Sequence, residues 1–152
     1  MLTYRKADIG DVKELARLRS IFLVEIDACD EDEREAFETA NLEYFEAALR
    51  DDSFVAWLAV DDEKIVGTSG LSFSISPPSY RCLDGRCAYI MNIYTLPEYR
   101  KRGIGKELFW RIADEAKERG YKKITLNATD MGKPLYLQYG FEDDPGEMVY
   151  YG

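Results

Sequence analysis

Apolar residues recur every three or four positions in four stretches of this chain and alternate with polar ones in several others. Ile104, Leu108, Phe109, Ile112 and Ala116 fall on one face of a helix, and Gly120 gives that helix a C-terminal stop. Val12, Leu15, Ala16, Leu18, Arg19 and Phe22 form a similar stripe behind Asp8, a good N-cap, and predict a helix to about Ile26. Phe37, Leu42, Phe45 and Leu49 predict another from about Glu35 to Leu49, stopped by Asp51-Asp52. Met131 to Tyr139 reads as a short helix with Pro134 in its first turn, where a missing N–H costs little. Strands are predicted over Leu2–Ala7, Ser53–Val60, Ile65–Ser74, Tyr89–Leu96, Lys122–Ala128 and Glu147–Tyr151. The second and third form a hairpin about Asp61-Asp62-Glu63-Lys64, and Gly67 and Gly70 mark bulges or close packing. Ser76 to Gly85 is a loop. This order predicts one α/β (α+β) domain over residues 1–152, a mixed sheet with helices on both faces.

The most informative stretch runs from Cys87 to Gly120. A strand ends at Pro97, which has no N–H for a ladder, and a basic turn, Arg100-Lys101-Arg102-Gly103-Ile104-Gly105-Lys106, passes into the strongest helix. The first N–H groups of a helix have no intrahelical partner and lie at the positive end of its dipole. Gly103 and Gly105 let an anion approach the main chain without meeting a Cβ. The turn is not a Walker A loop, and Leu108 stands where a dinucleotide fingerprint needs its third glycine. The plainer alternative is a basic turn that only caps an amphipathic helix.

Arg100-x-x-Gly103-x-Gly105, after a strand ending Ile93-Tyr94-Thr95-Leu96-Pro97, resembles motif A of the GNAT superfamily of N-acetyltransferases. Some thirty residues on, Leu135-Tyr136-Leu137-Gln138-Tyr139-Gly140-Phe141 resembles motif B of that family. Two short motifs in this order are more specific than either alone, and the resemblance extends from roughly Ile65 to Phe141. It implies an acyl-CoA N-acyltransferase fold with a central mixed, mostly antiparallel sheet whose fourth and fifth strands splay. It also implies acetyl-CoA as co-substrate, with no metal. Residues Arg100, Lys101, Arg102, Gly103, Ile104, Gly105 and Lys106 would cradle the diphosphate, while main-chain groups of Ile93, Tyr94 and Thr95 would meet the pantetheine amides.

Composition narrows the alternatives. Histidine is absent, and Cys29, Cys82 and Cys87 show no metal-ligand spacing, which disfavours Ser-His-Asp hydrolases, Cys-His proteases and common zinc enzymes. The cysteines read as reduced thiols of a cytoplasmic protein. No membrane span or signal-peptide core is visible. Residues 25–52 carry twelve acids against Arg34 and Arg50, a balance of −10 within a total of −9, so the remainder is +1. This balance disfavours nucleic acid as a partner.

Acetyl transfer to an amine needs a proton acceptor, a donor for the developing oxyanion and an acid for the leaving thiolate. The resemblance puts Tyr136 beside the thioester sulfur, as the acid; a phenol with pKa near ~10 suits a thiolate. The alternative is a core tyrosine that only hydrogen-bonds the cofactor. Where many family members place a glutamate, this chain has Ile90. Ile90, Asn92 and Tyr94 should share one strand face, which makes Asn92 the polar group available to hold a water or orient the amine. Thr129 stands where the family often has an asparagine, so Asn127 is the candidate for that contact with the pantetheine. The acidic helices favour a cationic amine acceptor or, equally, serve solubility. The expected function is N-acetylation of a primary amine of a small molecule or peptide. The alternatives are an acetyl-CoA-binding sensor without turnover and a nucleotide-binding regulator. Exposed aromatics at Trp110, Tyr150 and Tyr151 would allow a homodimer.

Overall fold

A computed structural model describes residues 1–152. Its elements run β1 (Leu2–Lys6), α1 (Val12–Glu25), α2 (Arg34–Arg50), β2 (Phe54–Val55), β3 (Trp57–Asp61), β4 (Lys64–Ile75), β5 (Arg86–Thr95), α3 (Ile104–Glu118), β6 (Lys123–Leu126) and α4 (Lys133–Tyr139). One six-stranded sheet has the order β1-β3-β4-β5-β6, with β2 also on β4. Every pairing is antiparallel except β5 with β6. The predicted mixed, mostly antiparallel sheet is therefore present.

Two apolar clusters flank it. One joins α1 and α2 to the sheet through Leu15, Leu18, Phe45 and Phe54, and the other packs Phe109, Ile112 and Ala116 of α3 against Leu71, Ala88 and Ile90. The close packing expected at Gly67 and Gly70 is visible on opposite faces. A Cβ on Gly67 would come within 2.9 Å of Leu108 on α3, and one on Gly70 within 2.5 Å of the Phe54 ring. Burying a side chain such as Phe109 contributes about 2–3 kcal/mol. Glu115 of α3, only 8% exposed, ties that helix to the far strands: it receives hydrogen bonds from Lys6 at 3.0 Å, Trp57 Nε1 at 3.1 Å and Arg119 at 2.9 Å.

Three expectations need correction. The strand expected over Ser53–Val60 breaks at Ala56, whose carbonyl turns away to accept from Ala7 N at 2.9 Å. No strand forms over Glu147–Tyr151: residues 141–152 have no regular structure, and Met148, Val149, Tyr150 and Tyr151 are all exposed. The segment's consecutive apolar side chains have nothing to pack against, since the outer edge of β6 carries no partner. Trp110 is not a free surface aromatic; its ring lies 4.6 Å from that of Tyr139.

The feature that shapes the site is a bulge in β5. Thr68 pairs with Tyr94 and Gly70 with Met91, so Ser69 alone faces both Asn92 and Ile93. Asn92 absorbs the extra residue with φ +60°, a conformation asparagine accepts more readily than most residues. The side-chain alternation consequently slips by one. Ile90 packs with the α3 cluster, whereas Tyr94 packs with the α1–α2 cluster, its ring 5.2 Å from Phe22. The expected shared face of Ile90, Asn92 and Tyr94 does not exist.

Candidate functional site

β5 and β6 pair only from Cys87↔Lys123 to Ile90↔Leu126. Beyond that point Met91–Thr95 continue alone, and the two strands leave a wedge. Leu96 donates to Val66 of β4, while the Thr95 carbonyl accepts from Arg100 Nε at 2.9 Å on the other side. By strand alternation, Ile93 and Thr95 present main-chain groups to the wedge and Tyr94 turns its own to β4. With the Thr95 carbonyl occupied, Ile93 offers the free peptide group.

At the mouth of the wedge, Lys101 and Gly103 take positive φ, +65° and +79°. The chain thereby turns sharply into α3. No side chain caps this helix, and none of the main-chain N–H groups from Lys101 to Lys106 has an acceptor within the protein. A cluster of free amides at a helix N-terminus suits a diphosphate. Space is open around Gly103, and a Cβ on Gly105 would sit 3.8 Å from Thr95 Oγ1. The arginines behave differently from the sequence expectation. Arg100 is held by Glu25 at 2.7 Å and lies over Tyr94, and Arg102 donates to the Glu98 carbonyl at 3.2 Å and lies over Tyr99. Both brace the turn, leaving the amides, Lys101 and Lys106 to meet an anion.

Tyr136 stands on α4 with its ring 4.9 Å from Phe109. The ring folds back against Gly132, where a Cβ would come within 2.8 Å of it. Its hydroxyl has no partner in the protein, and burial pushes its pKa up, which keeps the proton on. Tyr139, by contrast, donates to Asp114 at 3.0 Å and packs on Trp110. Asn92 is 4% exposed, and neither its Nδ2 nor its Oδ1 finds a partner. Such an orphaned amide is costly, about 1–3 kcal/mol per group, and points to a missing ligand or water.

Asn127 is already engaged: its Nδ2 donates to the Tyr89 hydroxyl at 3.0 Å. Thr129 accepts from Gly132 N at 3.2 Å and so closes the start of α4. Lys133 pairs with Asp143 at 3.0 Å. The sequence reading overlooked Tyr89 and gave Arg19 no role, although a charge set within the apolar stripe of α1 was the available signal.

A model of the acetyltransferase (GNAT) family matches residues 20–141. A predicted acetyltransferase from Clostridium acetobutylicum, crystallised with acetyl-CoA, superposes with a TM-score of 0.87 at 34% identity, over 99% of this chain and 96% of that one. A GCN5-related N-acetyltransferase from Ralstonia eutropha JMP134 superposes with a TM-score of 0.88 at 28% identity, over 99% of both chains. Thialysine N-epsilon-acetyltransferase of Bos taurus is 35% identical over 68 residues, 43% of this chain. That match spans only 40% of the bovine protein's length.

Proposed function

Because this chain belongs to the GNAT family of acetyltransferases, we propose that it transfers the acetyl group of acetyl-CoA to a primary amine of a small molecule or peptide by direct attack in a ternary complex. The observation that carries this reading is the uncapped N-terminus of α3 beside the unpaired half of β5. Acetyl-CoA, when bound, supplies the activated thioester. Amides of Lys101 to Lys106 hold its diphosphate, and the free peptide group of Ile93 hydrogen-bonds along the wedge. Tyr136, kept protonated by its apolar surroundings, donates its proton to the departing thiolate. Asn92 holds the water or amine through an amide that has no other partner.

No helix is long and apolar enough to cross a membrane. The three cysteines are free, which supports a reducing, cytoplasmic setting.

A second reading rests on Ile90, buried where a carboxylate would serve as base: the protein binds acetyl-CoA without turning it over. A thiol-release assay over a panel of amines separates the two. Transfer to any amine supports the enzyme, whereas calorimetric uptake of acetyl-CoA with no release supports the binding module. Asn92→Ala should lower kcat/KM for the amine, and an unchanged value would remove Asn92 from the mechanism.

A further inference from the structure

Among the arginines of this chain, one has no partner. Arg5, Arg17, Arg34, Arg50, Arg81, Arg100, Arg111 and Arg119 each pair with a carboxylate, and Arg86 and Arg102 each lie over a tyrosine ring. Arg19 does neither, although it is partly buried in a protein with nine acids in excess of its bases. Withdrawing a guanidinium from water without a counter-charge is costly, and it persists where a ligand supplies that charge.

The neighbours of Arg19 sharpen this. Its titratable surroundings are the phenols of Tyr89 and Tyr44, while burial pushes its own pKa down. The Tyr89 oxygen accepts from Asn127, so its proton is free to be given elsewhere. Tyr44, on α2, has no hydrogen-bond partner for its hydroxyl. Guanidinium and phenols together make a site of donors without an acceptor. The acids within electrostatic range of these phenols, Asp51 and Glu147, make no bond to Arg19.

Position ties this cluster to the reaction. Ala88 and Ile90 face α3, so Tyr89 faces α1 and α2 at the point where β5 and β6 part. It lies three residues before the Asn92 bulge, about 10 Å along the strand, on the side away from the Lys101–Lys106 turn. An amine held at the bulge therefore presents its remote end to Arg19.

We infer that the acceptor is an amine bearing a carboxylate several bonds from its nitrogen, and that Arg19, with the Tyr44 and Tyr89 hydroxyls, binds that carboxylate. The inference rests on the acetyl-transfer reading above. One guanidinium flanked by neutral donors balances a single negative charge, which favours a carboxylate over a phosphate dianion. It also reverses the expectation of a cationic acceptor, because eleven of the twelve acids in residues 25–52 are exposed to solvent and only Glu38 is partly covered.

The test compares 6-aminohexanoate with hexylamine, lysine with cadaverine, and an aminoalkyl phosphonate of matched length, in wild type, Arg19→Gln and Arg19→Lys. Acetyl-CoA uptake and thermal stability of each variant are measured alongside. The wild type should prefer the carboxylated member of each pair by roughly tenfold or more in kcat/KM. Arg19→Gln should erase that preference mainly through KM and leave acetyl-CoA uptake unchanged, with Arg19→Lys between the two. Equal rates on both members, a preference for the phosphonate, or an Arg19→Gln loss equal for both members would overturn the inference while acetyl transfer stands. Absence of acetyl-CoA uptake in the wild type would overturn both.

Discussion

At the scale of single residues, the site depends on groups deprived of ordinary partners: the Asn92 amide, the Tyr136 hydroxyl and the amides after Arg100. Each deprivation gives a measurable consequence. Tyr136→Phe removes one proton and almost no volume, so kcat should fall by about a hundredfold with acetyl-CoA affinity unchanged, as thiol release and calorimetry would show. Because burial raises the phenol's pKa, the acid form persists at neutral pH, and activity should decline only as pH climbs past the ordinary phenol value near ~10. Gly103→Val forces a β-branched residue to φ +79°. It should cost about 1–2 kcal/mol and abolish calorimetric uptake of acetyl-CoA.

At the scale of elements, α3 joins the candidate site to the core, since its first turn offers amides and its body carries Phe109 and Glu115. Phe109→Ala should destabilise the fold by about 3–5 kcal/mol, read as a fall in Tm. Burial alone would raise the Glu115 carboxyl, but hydrogen bonds from Arg119, Lys6 and Trp57 outweigh it and hold the pKa below the usual carboxylate range. A depressed folded pKa means that the stabilisation is complete above the unfolded value and is lost as pH falls. Stability should therefore decline from about pH 5 downward, and Glu115→Gln should flatten that acid limb in denaturant titrations. Much of this was legible in the sequence, because Leu108, Phe109 and Ile112 keep a strict helical period. Strand β5 was harder. Its existence followed from its β-branched and aromatic content, but its two-residue alternation fails at Asn92, and only the pairing with β4 shows why. Arg19 sits, as the stripe predicts, on the inward side of α1, but periodicity shows only which face a residue occupies and not whether its charge is answered across the fold.

At the scale of the whole molecule, the sheet separates two chemistries. The turn between β5 and α3 offers unengaged amides and lysines, while acids stand on the outer surfaces of α1 and α2. A chain with net charge −9 should show no retention of duplex DNA in a gel shift near physiological salt, despite its local basic turn. The fold class, element order and splayed strands followed from the sequence and the motif resemblance. The unpaired tail after Gly140 did not, because a β-favouring run such as Met148-Val149-Tyr150-Tyr151 proposes a strand even where no neighbour is present to receive it. The single additional residue in β5 also bears on how this protein can vary. Excising Asn92 would restore a uniform pleat and still leave Ile93 toward α3 and Tyr94 toward Phe22, because the bulge spends one surplus residue against Ser69. A chain one residue shorter here should thus keep its framework and lose only the orphaned amide that the bulge presents.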